Sequence, residues 1–350
     1  LDRLTHRVAF LSRMVQLTAA DVERGMYASR FRNVPVERPI FITSLPRAGT
    51  TLLLEILARH PDLATYTYRD MPFVMAPILW HQLSRGFRKG AELKERAHGD
   101  GMEVGYDSPE AFEEVLWKAF WPERFKGETI PLWGAHEGSA EFREHFVAQM
   151  QKIIALRSAG GPGQGRYVSK NNANIGRVPF LKKLFPDGLV AVPLRNPVDQ
   201  AASMRRQHRR FKEVHRRERF SKRYMQDIGH FEFGELHRPL AFEGVDEIRD
   251  RFDPDSLDYW IGYWILAFTA LLARRDEVLL VSYENLCRGG AEAVRRLIEA
   301  LGLSDDGFVD LSAESLRAPM GYELDLRELD AEQLERAMTV HAHLATSSVV

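Results

Sequence analysis

Residues 39–57 constrain the fold of this chain most: they read Pro39-Ile40-Phe41-Ile42-Thr43-Ser44-Leu45-Pro46-Arg47-Ala48-Gly49-Thr50-Thr51-Leu52-Leu53-Leu54-Glu55-Ile56-Leu57. Ile40, Phe41, Ile42 and Thr43 form an apolar, β-prone run. A turn carrying Pro46 and Gly49 follows. Leu52, Leu53, Ile56 and Leu57 then recur on one side of a helix, which His60-Pro61 ends. A strand turning directly into a helix aims the helix's free N–H groups and positive dipole end at whatever lies above the turn. Arg47 adds a fixed positive charge, and Thr50 and Thr51 add hydroxyl donors. These residues suit a phosphate, and they also suit an ordinary strand–helix turn; the stretch alone leaves both open. It does exclude a Walker A loop. On that pattern Gly49 is the second glycine and Thr51 the Ser/Thr, but Ser44 replaces the first glycine and Thr50 the lysine. Without that lysine, the turn suits a nucleotide with a single 5′-phosphate and a group attached to it.

Downstream, residues 167–169, 189–194 and 278–281 read as core strands. Helices are expected over 139–158, 175–185, from Pro197 behind an Asn196 cap, and over 255–273 and 291–301. This alternation predicts an α/β fold: a P-loop-type parallel sheet flanked by helices, with extra helical insertions and a ligand at the carboxyl ends of the strands. A chain of 350 residues has room for one such domain. Its expected parts are an N-terminal helical extension (1–35), the loop and its helix (39–60), a mainly helical insertion (61–160), the rest of the core (166–302) and a C-terminal tail (303–350). In the extension, Val8, Leu11, Met14, Val15 and Leu17 fall near helical spacing, so residues 1–30 read as one helix packed on the domain. Residues 72–84 read as helical, 99–108 as a loop and 159–165 as a turn. Ser108-Pro109 reads as the cap and first position of a helix running to about Trp121.

The net charge of −1 gives no reason to expect nucleic acid or a membrane surface. The single cysteine, Cys287, excludes an internal disulfide framework and a Cys-based zinc site. The most apolar run, 259–273, is too short to span a membrane. With no secretory leader visible, a cytoplasmic protein is expected.

Three segments together resemble the sulfotransferases that use 3′-phosphoadenosine-5′-phosphosulfate (PAPS). Ser44-Leu45-Pro46-Arg47-Ala48-Gly49-Thr50-Thr51 resembles that family's 5′-phosphosulfate loop, with Ala48 where a Ser is usual. Val192-Pro193-Leu194-Arg195, continuing to Ser203, resembles its 3′-phosphate segment, an Arg ending a core strand with a Ser eight positions on. Val281-Ser282-Tyr283-Glu284-Asn285-Leu286 resembles its last core strand and the turn after it. The matches span about 250 residues, and the Arg-bearing loop is closer to the glycan and tyrosylprotein branches than to the cytosolic phenol and steroid branch. The resemblance implies PAPS as sulfuryl donor and Arg47, Ala48, Gly49, Thr50, Thr51, Arg195, Ser203 and Tyr283 as its binding residues. It also implies no metal, and a small-molecule or glycan acceptor bearing a hydroxyl or amine.

By the same resemblance, Lys170 after the strand at 167–169 meets the sulfuryl oxygens, and Arg47 shares that catalytic work. The cytosolic branch places its histidine base two residues beyond this lysine; here that position is Asn172. The related branches place a carboxylate after the first helix, which implies Asp70 as general base. Asp70 equally suits a helix cap before Met71-Pro72, and Glu103, Asp107 and Glu110 are rivals. Trp80, Trp117, Trp121 and Trp133 suit either an aromatic acceptor floor or core packing. Residues 204–223 hold ten Lys or Arg against two Glu. The run reads as a solvated helix face or as the wall of an anion-attracting cleft, with acidic residues from Glu323 to Glu335 available to neutralise it. The competing functions are a P-loop kinase-like phosphotransferase and a non-catalytic nucleotide-binding protein.

Overall fold

The apolar run at the head of the phosphate-type turn is the central strand of a parallel sheet. The computed structural model describes residues 3–84, 94–95, 103–104, 108–158, 165–305, 307–314, 316–319, 321 and 329–350. In it β1 (Ile40–Ile42) lies between β5 (Arg166–Lys170) and β6 (Leu189–Leu194), parallel to both. β2 (Leu63–Ala64) and β7 (Leu279–Ser282) complete the order β2-β5-β1-β6-β7. A separate antiparallel ribbon pairs β3 (Lys94–Glu95) with β4 (Glu103–Val104).

Period-two alternation divides the core. Ile40 and Ile42 face α3 (Thr50–Leu57) and α12 (Tyr283–Leu301), where Leu53, Leu57, Val294 and Leu297 join them. Phe41 faces the other layer, with ring centroids 6.1 Å from Phe146 and 5.6 Å from Phe185. That layer holds α6 (Ala140–Arg157), α7 (Val178–Leu184), α8 (Pro197–Arg217) and α11 (Leu257–Leu272). The apolar run at 259–273 is therefore a core helix, and among the described residues no helix is long and apolar enough to cross a membrane. Asn196 caps α8 through its side chain, as its sequence predicts.

The N-terminal region departs from expectation. It forms two helices, α1 (Arg3–Ala9) and α2 (Arg13–Phe31), and of the apolar set Val8, Leu11 and Met14 face outward, Leu11 77% and Met14 56% exposed, while Leu17 packs against the core. The buried face is partly polar. Gln16 donates to the Ala9 and Pro72 carbonyls and accepts from Met75 N, while Glu23 pairs with Lys152 at 3.0 Å and accepts from Leu79 N. Burial raises the Glu23 pKa and lowers that of Lys152. Backbone groups of residues 72–79 require partners once buried, and these side chains supply them.

Three boundaries shift for similar reasons. α4 (Pro77–Ser84) and α5 (Glu114–Phe120) both start later than the sequence suggests. Pro109 bridges Thr67, and Glu110 N donates to Tyr66 O, so this stretch gains partners by staying extended. A 3-10 turn, Asn172–Gly176, precedes α7. In the expected tail, α13 (Phe308–Ala313) packs on α12 and α14 (Ala331–Ala345) on α11. The turn at 159–164 and the loop at 99–102 and 105–107 lie outside the described residues.

The basic run forms the last two thirds of α8 and the first half of α9 (Arg219–Ile228). Its counter-charges are Asp255 with Lys212, Glu235 with Lys222 at 2.7 Å, and Asp227 with Arg223 at 2.9 Å. Of the acidic residues expected to neutralise it, Asp330 pairs with Arg251, and Glu323, Asp325 and Glu328 lie outside the described residues.

Candidate active site at the carboxyl edge of the sheet

The loop after β1 is held from beneath by backbone partners and one buried amide. Thr43 N donates to Ala191 O. Gln200 Nε2 donates to the carbonyls of Leu45 and Pro46, each at 3.0 Å, and its Oε1 accepts the Trp264 indole N–H at 2.9 Å. Arg47 has φ +70 and Gly49 φ +96. A non-glycine residue held at positive φ is uncommon, and such strain concentrates at functional sites. Gly49 opens α3, whose first N–H groups are free of intrahelical partners.

The carboxyl ends of β1, β6 and β7 bring five of the sequence-derived candidates into one connected group. Arg195, ending β6 and 6% exposed, donates from Nη1 to the Arg47 carbonyl at 3.0 Å. Arg47 Nε donates to Ser203 Oγ at 3.0 Å. The Tyr283 ring lies 5.0 Å from the Arg195 guanidinium and packs against Gly49 so closely that a Cβ there would overlap it. Burial pushes the Tyr283 phenol up to about 12, so it stays protonated. Ala48 is fully buried and Thr51 borders the cleft described next.

At the end of β5, Lys170 and Asn172 stand where two clefts meet. One, of about 550 Å³, runs over Arg47, Thr50 and Thr51 to Phe211, His215 and Phe233. The other, about 620 Å³, is walled by Leu45, Ile130, Leu240, Trp260 and Tyr263, with Glu114 and Arg238 at its edge. Pro46, Lys170, Asn172, His230 and Glu232 border both. Asn172 links loop to carboxylate: its Oδ1 accepts Thr50 Oγ1 and its Nδ2 donates to Glu232 Oε1, each at 3.2 Å. Behind Glu232, His237 Nδ1 donates to the Glu232 carbonyl at 2.6 Å, so Nε2 accepts the Tyr259 hydroxyl at 2.7 Å. Burial drops His237 to about 3, keeping it neutral.

Asp70 is placed differently from its sequence expectation as a base. It is 1% exposed, its Oδ2 accepts Thr67 N at 2.8 Å in a capping box, and its Oδ1 pairs with Arg157 at 2.6 Å. It borders neither cleft. The cap reading of Asp70 therefore describes its surroundings, and the ion pair fixes it there. Of its rivals, Glu110 is buried and accepts from Tyr68 OH and Ala111 N. Asp107 and the Glu103 side chain lie outside the described residues.

The sequence reading missed Glu232, Gln200, Glu113 and Glu114. Glu232 stood out only as a carboxylate between Phe231 and Phe233. Glu113 and Glu114 head the apolar α5. Glu114 takes Arg177 at 2.6 and 2.7 Å and Asn171 at 2.6 Å, and Glu113 takes Ser169 at 2.5 Å. The fully buried Arg177 lies between Trp117 and Trp133, 4.1 and 4.3 Å from their rings. Those tryptophans are thus core, Trp121 packs with them and Trp80 packs on Phe73. The tryptophan bordering a cleft is Trp260.

A profile described as "Sulfotransferase family" matches residues 39–307 of the chain. Among solved structures, the chain is similar to sulfotransferase STF1 from Mycobacterium tuberculosis H37Rv. That match has 16% identity and TM-score 0.54, over 97% of this chain and 85% of that one. It is also similar to sulfotransferase STF9 from Mycobacterium avium, at 14% identity and TM-score 0.51, over 94% and 81%. At such identities the likeness shows the fold. No curated protein sequence gave a match.

Proposed function

Because the chain belongs to the sulfotransferase family, we propose that it moves the sulfuryl group of PAPS to a hydroxyl or amine of a small-molecule or glycan acceptor. Membership of the family implies a capacity to bind PAPS, which supplies the sulfuryl group and leaves as 3′-phosphoadenosine 5′-phosphate (PAP). The observation that carries the reading is the Arg195–Arg47–Ser203 chain of contacts, which couples a loop suited to one phosphate with an Arg and a Ser suited to a second. In this reading the α3 N–H groups, Thr50, Thr51 and the Arg47 guanidinium hold the 5′ side and take up charge on the departing phosphate. Gly49 lets the backbone approach it, with Ala48 contributing its N–H. Arg195 and Ser203 hold the 3′-phosphate, with Tyr283 beside Arg195. Lys170 faces the sulfuryl oxygens.

The proton of the acceptor hydroxyl goes to a carboxylate as its oxygen bonds to sulfur and the sulfur–phosphate oxygen bond breaks. We assign that role to Glu232 rather than Asp70. Glu232 borders both clefts beside Lys170, whereas Asp70 is spent on Arg157 and its cap. The Arg-bearing loop and Asn172 support a place nearer the glycan and tyrosylprotein branches. A kinase-like reading is not favoured, since Thr50 occupies the lysine position and its hydroxyl is bonded to Asn172.

Calorimetry with PAP and AMP tests the cofactor reading. PAP should bind far more tightly than AMP, and Arg195→Ala should remove about 10- to 150-fold of that preference, the worth of a charged phosphate contact. Equal affinity of the wild-type protein for both nucleotides sinks the reading.

A further inference from the structure

One polar group in the cleft over the loop has no part in the reaction above. His215, on the last turn of α8, is 4% exposed and borders that cleft with Phe211, Met225 and Phe233. Its Nδ1 accepts the backbone N–H of Glu235 at 3.2 Å. A ring nitrogen that accepts carries no proton, so the neutral ring holds its proton on Nε2. Burial, and then Lys222 nearby, lower the His215 pKa and keep the ring neutral. Nε2 is buried and has no hydrogen-bond partner in the protein. The other tautomer is blocked, because a proton on Nδ1 would oppose the Glu235 N–H. His215 thus brings to the border of the cleft a neutral N–H donor with nothing in the protein to donate to, a costly arrangement that a ligand reaching it would relieve.

We propose that His215 Nε2–H receives a second oxygen of the acceptor molecule, whose reacting hydroxyl lies at Lys170, Asn172 and Glu232. This deepens the sulfotransferase reading and rests on it. The substrate class follows from what surrounds the donor. Phe211 and Phe233 lie nearly parallel, at 4° with centroids 6.4 Å apart, and Met225 adds a third apolar wall. The nearby cations Lys222 and Arg216 are held by Glu235 at 2.7 and 3.6 Å. A carboxylate or sulfate on the acceptor would lose its hydration against these walls with one neutral donor in return, which is unfavourable. A carbonyl, ether or hydroxyl oxygen loses little and gains the bond. The acceptor is therefore a compact alcohol or phenol with an apolar frame and an uncharged oxygen on its far side, not an extended anionic glycan.

Calorimetry on the PAP-saturated protein tests this with 4-hydroxyacetophenone and 4-ethylphenol, which differ in the carbonyl. The ketone should bind about 5- to 10-fold more tightly to the wild-type protein. His215→Phe should abolish that preference while leaving PAP affinity within about twofold. Should the variant fold poorly, histidine 15N spectra of the wild-type protein replace it: the His215 Nε2 signal should respond to the ketone and not to 4-ethylphenol. Equal affinity for the two probes, a preference that survives in His215→Phe, an unresponsive Nε2 signal, or failure of both to bind overturns the assignment. Absence of PAP binding is a different failure: it removes the sulfotransferase reading, and this subsite with it.

Discussion

Replacing Gly49 by alanine places two separable loads on the loop. The first is local. With φ at +96, the backbone is left-handed, and a Cβ there costs about 1–2 kcal/mol. The second comes from the neighbouring strand end. The added carbon overlaps Tyr283 Cδ2 and lies 3.0 Å from Cε2. That ring is packed against the Arg195 guanidinium, 5.0 Å from its centroid, so it cannot retreat without disturbing the cation. Overpacking of this kind costs about 1–3 kcal/mol, bringing the expected loss for Gly49→Ala to about 2–5 kcal/mol. Urea unfolding measures the total, and a cycle with Tyr283→Ala divides it. In the Tyr283→Ala background only the backbone part, about 1–2 kcal/mol, should remain. PAP affinity should fall in the single variant as the loop opens. The reasoning fails if alanine costs the same in both backgrounds, or if the total is below about 0.5 kcal/mol, the level of an ordinary surface substitution.

Glu232→Gln should cut turnover by about 10²–10⁴ with PAP binding intact. Asp70→Asn should show the reverse pattern, near-normal turnover with about 1–3 kcal/mol of stability lost as Arg157 and the cap lose their anion; an inactive but folded Asp70→Asn would return the base to Asp70. His237 and His208 are held by burial at about 3 and about 4, below the ordinary 6.5. Between those values the unfolded chain binds more protons, so their contribution is complete above about pH 6.5 and drains as pH falls. Each contributes a slope of up to about 1.4 kcal/mol per pH unit. Unfolding free energies at pH 7 and 5 should differ less in His237→Gln than in the wild-type protein, and an unchanged difference would contradict the assignment.

What could be read from the sequence is what depends on neighbours in the chain. β1, its turn and α3 are specified by adjacent residues, and so is β6 with the Asn196 cap and Pro197. Hydrophobic alternation and turn chemistry sufficed to put Arg47 in the loop after β1 and Arg195 at the end of β6. The partners of Glu232 could not be read this way, because the carboxylate meets Asn172 across 60 positions from an irregular segment with no period of its own. The N-terminal helices misled for the opposite reason. Their apolar spacing was real, but Gln16 and Glu23 found buried partners in residues 72–79 and decided which face turned inward. α14 went unnoticed although Ala337, Val340 and Leu344, its buried residues, recur at helical spacing.

The short segment after α14 has a consequence for self-association. β7 is the last strand of the sheet, and an uncovered strand edge is a template on which a second molecule can add its own strand. Here Ser348 forms a parallel bridge to Leu280, Val349 N donates to Leu280 O at 3.0 Å, and Ser348 Oγ accepts from Ser282 N at 2.8 Å. The opposite edge, β2, is only two residues long. The sheet thus offers other chains little room for intermolecular β-pairing, and residues 348–350 act as a guard against aggregation at the same strand end that carries Tyr283.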